Sequence, residues 1–207
     1  MKVYVVCVNG APQSGKTSFE TLCQSRVDNS LIYSSIAPIK ALATVFGWDG
    51  YSKEEPDRRM LSNLKKTVDD WYRERNKTPF TVAKVYEAIR KYVIDCSCPL
   101  FCSNEDDERV VAFVDVREPR DLDYFKERFN ATTVIVERDI RVPGESEDWG
   151  NRSDNGVYNY EYDVRILNYT TIEDLGRMAD IFLVHLFKTD KYCEITGGEE
   201  EYNEFCD

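Results

Sequence analysis

The residue pattern predicts an α/β fold: a mainly parallel, five-stranded sheet with helices on both faces, three layers in all. Three observations predict it. Short β-branched and aromatic runs stand at about residues 3–9, 31–35, 110–115, 133–137 and 163–167. Segments with apolar residues at helical spacing alternate with them. The residues that end or follow the runs are polar or glycine, where an open parallel sheet collects its ligands beyond the strand carboxyl ends.

The first run, Val3-Tyr4-Val5-Val6-Cys7-Val8, leads into Gly10-Ala11-Pro12-Gln13-Ser14-Gly15-Lys16-Thr17. This is the G-x-x-x-x-G-K-[ST] pattern of a phosphate-binding P-loop. Phe19, Leu22, Cys23 and Val27 mark the helix that should follow it. Glycines at 10 and 15 let the backbone curl and turn its N–H groups inward. Those amides and the positive end of the helix form an anion site. Lys16 brings a point charge to the β- and γ-phosphates of a nucleoside triphosphate, and the Thr17 hydroxyl is placed to ligate Mg²⁺. Gly10 to Thr17, with the adjoining Ser18, are the expected nucleotide-binding residues.

The length of 207 residues fits one domain, taken as 1–190, followed by an acidic tail over 191–207. A hydrophobic fraction of 42% suffices for a packed core. The net charge of −11 argues against free nucleic acid as a partner. A chain without an apolar run of about 18 residues is expected to have no membrane span. Without a leader-like start it is expected to be cytoplasmic, with reduced thiols. Of the 7 cysteines, Cys96, Cys98 and Cys102 cluster, and read either as free thiols or as part of a metal site.

Ser34 and Ser35 end the second run, and a helix through Ala37–Phe46 follows, closed by Gly47 and Gly50. Ser34, Ser35 and Lys40 read either as lining an acceptor site or as a cap and a solvated lysine. From about Lys53 to Tyr72 a helix is predicted, with Leu61, Leu64, Val68 and Trp71 as its apolar stripe and Met60 widening it. Arg58 and Arg59 fall off that stripe. They suit an acceptor phosphate, which a guanidinium fork binds through two oxygens, or a solvated face paired with Glu54 and Glu55. Trp48 and Trp71 read as core residues or as a stacking surface for a base. A further helix spans Thr81–Val93, and the acidic stretch Asn104–Glu108 reads as loop. Helical segment 37–95 is the expected substrate side.

The run Val110–Val114 ends in Asp115, a candidate Mg²⁺-shell carboxylate beside a P-loop, or else a structural turn. Asp121 is expected to cap the helix carrying Leu122, Phe125 and Phe129. After the run ending at Glu137, segment 139–162 lacks periodicity and reads as an ordered loop or a lid. Arg138, Arg141 and Arg152 are candidates to close over a transferring phosphoryl group. Thr170-Thr171-Ile172-Glu173 predicts a capping box at the start of the last helix, which carries the single histidine, His185.

Four stretches, in this order, resemble the P-loop nucleoside monophosphate kinases, and most nearly their bacteriophage-type deoxynucleoside members. They are Gly10 to Thr17; Ile36 to Lys40 through Phe46-Gly47-Trp48; Asp57 to Leu64; and Val116-Arg117-Glu118-Pro119 with Val136-Glu137-Arg138. Asn151 to Asp154 and Tyr162 to Asn168 also fit. The resemblance implies the three-layer P-loop kinase fold and Mg²⁺-dependent transfer of the ATP γ-phosphoryl group to a (deoxy)nucleoside 5′-monophosphate. It implies Lys16, Asp115 and Arg138 as catalytic and Thr17 and Asp115 on the metal. The acceptor side would hold Ser34, Lys40, Arg58, Arg59 and Arg117, with Arg141 and Arg152 as lid arginines. The implied partners are a nucleoside triphosphate and a nucleoside monophosphate; a homodimer stays open. The chain departs from common members in lacking a short arginine-rich lid sequence.

A phosphate acceptor needs no base, because its attacking oxygen is already anionic. The chain shows no obvious base, which favours that acceptor. Transfer to a hydroxyl, of a small molecule or a modified nucleobase, would use a carboxylate such as Asp115. A nucleotide-binding module without transfer is the remaining reading.

Overall fold

Strand β1 (Lys2–Asn9) is the centre of the sheet, and its sequence explains why. From Val3 to Asn9 every residue is buried. Val3, Val5 and Cys7 pack into one hydrophobic cluster and Tyr4, Val6 and Val8 into another, as the period of two demands for a strand covered on both faces. The computed structural model describes residues 1–52, 54–75, 77–96, 109–138, 157–168 and 171–195. Arg141, Arg152, most of the expected lid, Cys98, Cys102 and the tail from 196 on lie outside the described residues.

In chain order the elements after β1 are α1 (Lys16–Gln24), β2 (Ser30–Ser34), α2 (Ala37–Val45), α3 (Glu55–Arg73), α4 (Phe80–Cys96) and β3 (Arg109–Asp115). Then come α5 (Pro119–Phe129), β4 (Thr132–Glu137), β5 (Val164–Leu167), α6 (Ile172–Leu186) and β6 (Cys193–Glu194). The parallel strands run in the order β2-β3-β1-β4-β5. The chain builds β2 and β3 on one side of β1 and β4 and β5 on the other. The carboxyl end of β1 is therefore the switch point, where a crevice opens. Helices α4 and α5 cover one face with Val82, Val85, Ile89, Leu122, Phe125 and Phe129. Helices α1 and α6 cover the other with Phe19, Cys23, Leu175, Ala179 and Phe182. This is a three-layer α/β fold.

The sheet departs from expectation in one strand. β4 pairs with β1 only from Val6 to Asn9, which leaves the start of β1 unpaired on that side. β6 fills the gap antiparallel, against Lys2 and Val3, and Ile195 beyond it is 2% exposed. The sheet thus has six strands rather than five and runs past residue 190.

Three helix readings need correction. In α3, Leu61, Leu64 and Val68 are only half-buried and Trp71 is exposed; the buried positions are Lys65 and Asp69. Asp121 is not a cap: Glu118 is the N-cap of α5, and Asp121 lies buried in its first turn. The capping box of α6 sits one residue later than predicted, on Thr171 and Asp174.

The first two corrections share a cause. The Lys65 Nζ lies 2.7 Å from Asp121, 3.0 Å from Asp69 and 3.4 Å from Glu118. Asp69 also accepts from the Thr81 amide and hydroxyl, and Arg73 reaches Asp121. Burial works against the Lys65 ammonium, but the carboxylates of Asp121, Asp69 and Glu118 outweigh it and hold its pKa above the usual lysine value. A buried ionic cluster therefore joins α3, α4 and α5 where an apolar stripe was expected.

Candidate functional site

The loop after β1 has the backbone its glycines predict. Gly10 has φ +151° and Gly15 φ +97°. A Cβ on Gly10 would lie 2.4 Å from the Val136 carbonyl oxygen, and one on Gly15 would lie 2.3 Å from Asn168 Nδ2. Both positions thus exclude side chains for two separate reasons, conformation and space. Gln13 also takes a positive φ, +61°.

Two loop amides are spent internally: Gly10 N–H donates to Asn9 Oδ1 and Ser14 N–H to the Ala11 carbonyl. The next amides belong to the start of α1. That helix has Gly15 as its N-cap, no side-chain cap and no acidic residue in its first turn. Its positive end is left uncompensated toward the loop. Lys16 donates its ammonium to the carbonyls of Gly10 at 2.6 Å and Ala11 at 3.0 Å, so the charge is drawn across the loop. Ala11 and Ser14 are buried and Pro12 is half-buried, while Gln13, Thr17 and Ser18 are exposed.

Asp115 ends β3 in register with Val8 of β1 and Ser34 of β2. Its Oδ1 is buried with no hydrogen-bond partner among the described residues. Its carbonyl accepts from the Ser35 amide and hydroxyl, which fixes the strand end. Ser35 is therefore a structural hydroxyl; Ser34 beside it is half-buried at the crevice. Arg117 is exposed and its carbonyl accepts from Asn9 Nδ2 at 3.2 Å. Arg138 is exposed just beyond β4, whose Val136 carbonyl touches the loop at Gly10.

The fold thus gathers the loop, Ser34, Asp115, Arg117 and Arg138 at strand carboxyl ends. Lys40, Arg58 and Arg59 are exposed on α2 and α3, helices that pack with each other and with α4. Trp71 is exposed and carries the Arg75 guanidinium 4.0 Å from its ring centroid. Trp48 is half-buried.

Asn9, Asn168 and Glu20 take parts in this site that sequence reasoning did not assign. Asn9 is fully buried and links the Gly10 amide, the Arg117 carbonyl and the Tyr162 hydroxyl. Asn168, just past the end of β5, donates to the Ser14 carbonyl at 2.9 Å. Glu20 is 3% exposed on α1, and burial, then Asp115, raise its pKa to about 8 against the lowering effect of Lys16. A signal existed: positions 20, 23 and 27 share one helical face, so Glu20 falls on the apolar stripe.

The donor set fits a hydrated Mg²⁺: an exposed hydroxyl at Thr17 and a buried, unpartnered carboxylate oxygen at Asp115, both hard oxygen ligands. A cavity of about 530 Å³ lies elsewhere, lined by Asp123, Lys126 and Tyr160–Asp163. Among the described residues no helix is long and apolar enough to cross a membrane.

No family model and no curated protein matches the chain. Solved structures similar to it include shikimate kinase from Aquifex aeolicus, with 14% identity and TM-score 0.44, over 87% of this chain and 96% of that one. A sugar kinase from Janibacter sp. has 12% identity and TM-score 0.45, over 88% and 95%. The APS kinase of Mycobacterium tuberculosis, solved with AMPPNP and APS, has 13% identity and TM-score 0.40, over 91% and 99%.

Proposed function

We propose that this chain is an ATP- and Mg²⁺-dependent phosphotransferase whose acceptor is a (deoxy)nucleoside 5′-monophosphate, giving the diphosphate. The observation that carries the reading is the P-loop itself: two positive-φ glycines, an uncapped helix start and the Lys16 ammonium drawn over the loop, with Asp115 at its side. The loop amides and Lys16 bind and orient the triphosphate, and Lys16 offsets charge on the β- and γ-oxygens. Thr17 and Asp115 would hold Mg²⁺, which when bound would neutralise phosphate charge. Arg138 stands at the loop side to stabilise the charge of transfer, with Arg141 and Arg152 as lid arginines. Arg117 and Ser34 belong to the acceptor wall, and Lys40, Arg58 and Arg59 to its outer, phosphate-recruiting part. The site is cytoplasmic in this reading.

A second reading, transfer to a hydroxyl, is favoured by one observation: the unpartnered Asp115 Oδ1 is available as a base. A coupled ADP-release assay with ATP and Mg²⁺ separates the two. Turnover dependent on one or more nucleoside monophosphates supports the first. Turnover only with hydroxyl compounds supports the second. ADP formation indifferent to every acceptor, or none from folded protein, overturns both.

A further inference from the structure

Glu20 is an expensive residue for its place. It lies one helical turn past Lys16 on α1, next to the buried Phe19 and three residues before the buried Cys23. At 3% exposure its Oε1 is buried and has no hydrogen-bond partner among the described residues. An apolar residue would fill that stripe without the cost of burying an unpaired carboxyl.

Its charged surroundings point one way. The groups that act on the Glu20 carboxyl are Asp115, which opposes its ionisation, and Lys16, which favours it. Lys16 is engaged with the Gly10 and Ala11 carbonyls. Asp115 brings a second buried oxygen, Oδ1, that is also without a partner. Two neighbouring carboxyls that each keep an unsatisfied buried oxygen are mutually destabilising without a cation and mutually useful around one. Mg²⁺ keeps several of its waters, and those waters need oxygen acceptors held by the protein.

We infer that Glu20 is the second carboxylate on the metal side of this site: beside Asp115, which would hold the divalent cation that accompanies the triphosphate, it accepts hydrogen bonds from that ion's waters. Glu20 is thus a positioning residue, acting through the hydrated ion. This rests on the reading of Gly10–Thr17 as a triphosphate site.

The test measures binding rather than turnover. AMPPNP affinity is measured in chelator, and then Mn²⁺ affinity of the protein–AMPPNP complex by electron paramagnetic resonance, for wild type, Glu20→Gln and Glu20→Met. The expected result is AMPPNP affinity in chelator within about twofold of wild type for both variants. Mn²⁺ affinity should fall tenfold or more, the range of supporting-residue losses at metal sites. Melting temperature should be kept or raised, since a buried unpaired carboxyl has been removed. A merely structural Glu20 would lower the melting temperature and leave Mn²⁺ affinity alone. Equal Mn²⁺ affinity in wild type and in either folded variant overturns the inference. Failure of wild-type protein to bind AMPPNP overturns the triphosphate reading itself, and the inference with it.

Discussion

Asn168 Nδ2 stands 2.3 Å from where a Cβ on Gly15 would be, while donating to the carbonyl of Ser14 at 2.9 Å. One side chain from the end of β5 therefore both braces the P-loop and occupies the space that glycine leaves. The loop is held by its neighbours as much as by its own sequence.

Gly15→Ala should accordingly disturb the loop. The left-handed φ of +97° costs an L-residue about 1–2 kcal/mol, and the new methyl must also displace Asn168. The expected loss is about 2 kcal/mol or more in urea unfolding, with nucleotide binding weakened. The double variant Gly15→Ala/Asn168→Ala should recover part of that loss, less than the sum of the single effects. Strict additivity would show that Asn168 is not the obstacle.

Lys16→Ala should abolish phosphoryl transfer and leave the fold standing. Lys16 is half-buried and its ammonium donates to the Gly10 and Ala11 carbonyls of the loop, so its loss removes charge from the loop and leaves the hydrophobic clusters of the sheet intact. Circular dichroism and melting temperature should match wild type while ADP release falls by at least about a hundredfold. Retained turnover would remove Lys16 from the mechanism.

Lys65→Met should be severe for stability. It leaves Asp69 and Asp121, at 0% and 1% exposure, without their shared cation. Breaking one partner of a buried ion pair costs about 3–5 kcal/mol. Urea unfolding should read a loss in that range, whereas an exposed pair such as Lys66–Asp70 should lose under about 1 kcal/mol on Lys66→Ala. A mild Lys65→Met would mean that the carboxylates protonate or hydrate at little cost.

Glu20 gives a pH signature in chelator. Its folded pKa, about 8, is above the ordinary 4.5, so the folded chain holds this proton more tightly than the unfolded one. For an acid raised in this way, stability is fully present below the unfolded pKa and falls as pH rises toward the folded one, at about 1.4 kcal/mol per unit. Glu20→Gln lacks the titration. Its melting temperature relative to wild type should therefore climb steadily between pH 5 and pH 8. A flat difference over that window would show that Glu20 ionises normally.

Much of this architecture was readable one segment at a time. The continuous apolar run of β1, the G-x-x-x-x-G-K-T spacing and the apolar stripes of α1, α4 and α6 are local patterns, and local sterics and burial enforce them whatever lies far along the chain. The errors fell where a partner was distant. The α3 stripe looked apolar because nothing near Lys65 announced Asp121, 56 residues away. Asp121 looked like a cap because aspartate before a helix usually is one. Thr170 with Glu173 has the capping-box spacing, but the structure uses Thr171 with Asp174.

Residue order alone establishes five parallel strands, the helices between them and a glycine-bounded G-x-x-x-x-G-K-T loop after the first, since each follows from the chemistry of neighbours in the chain. It does not reach the sixth strand, the burial of Glu20 beside Asp115, or the bracing of the loop by Asn9 and Asn168. Those depend on pairs such as Asn168 and Ser14, 154 residues apart, whose meeting is settled by strand order and packing. A carboxyl or amide has no fixed role in sequence; its role comes from which donors, charges and solvent the folded chain leaves around it.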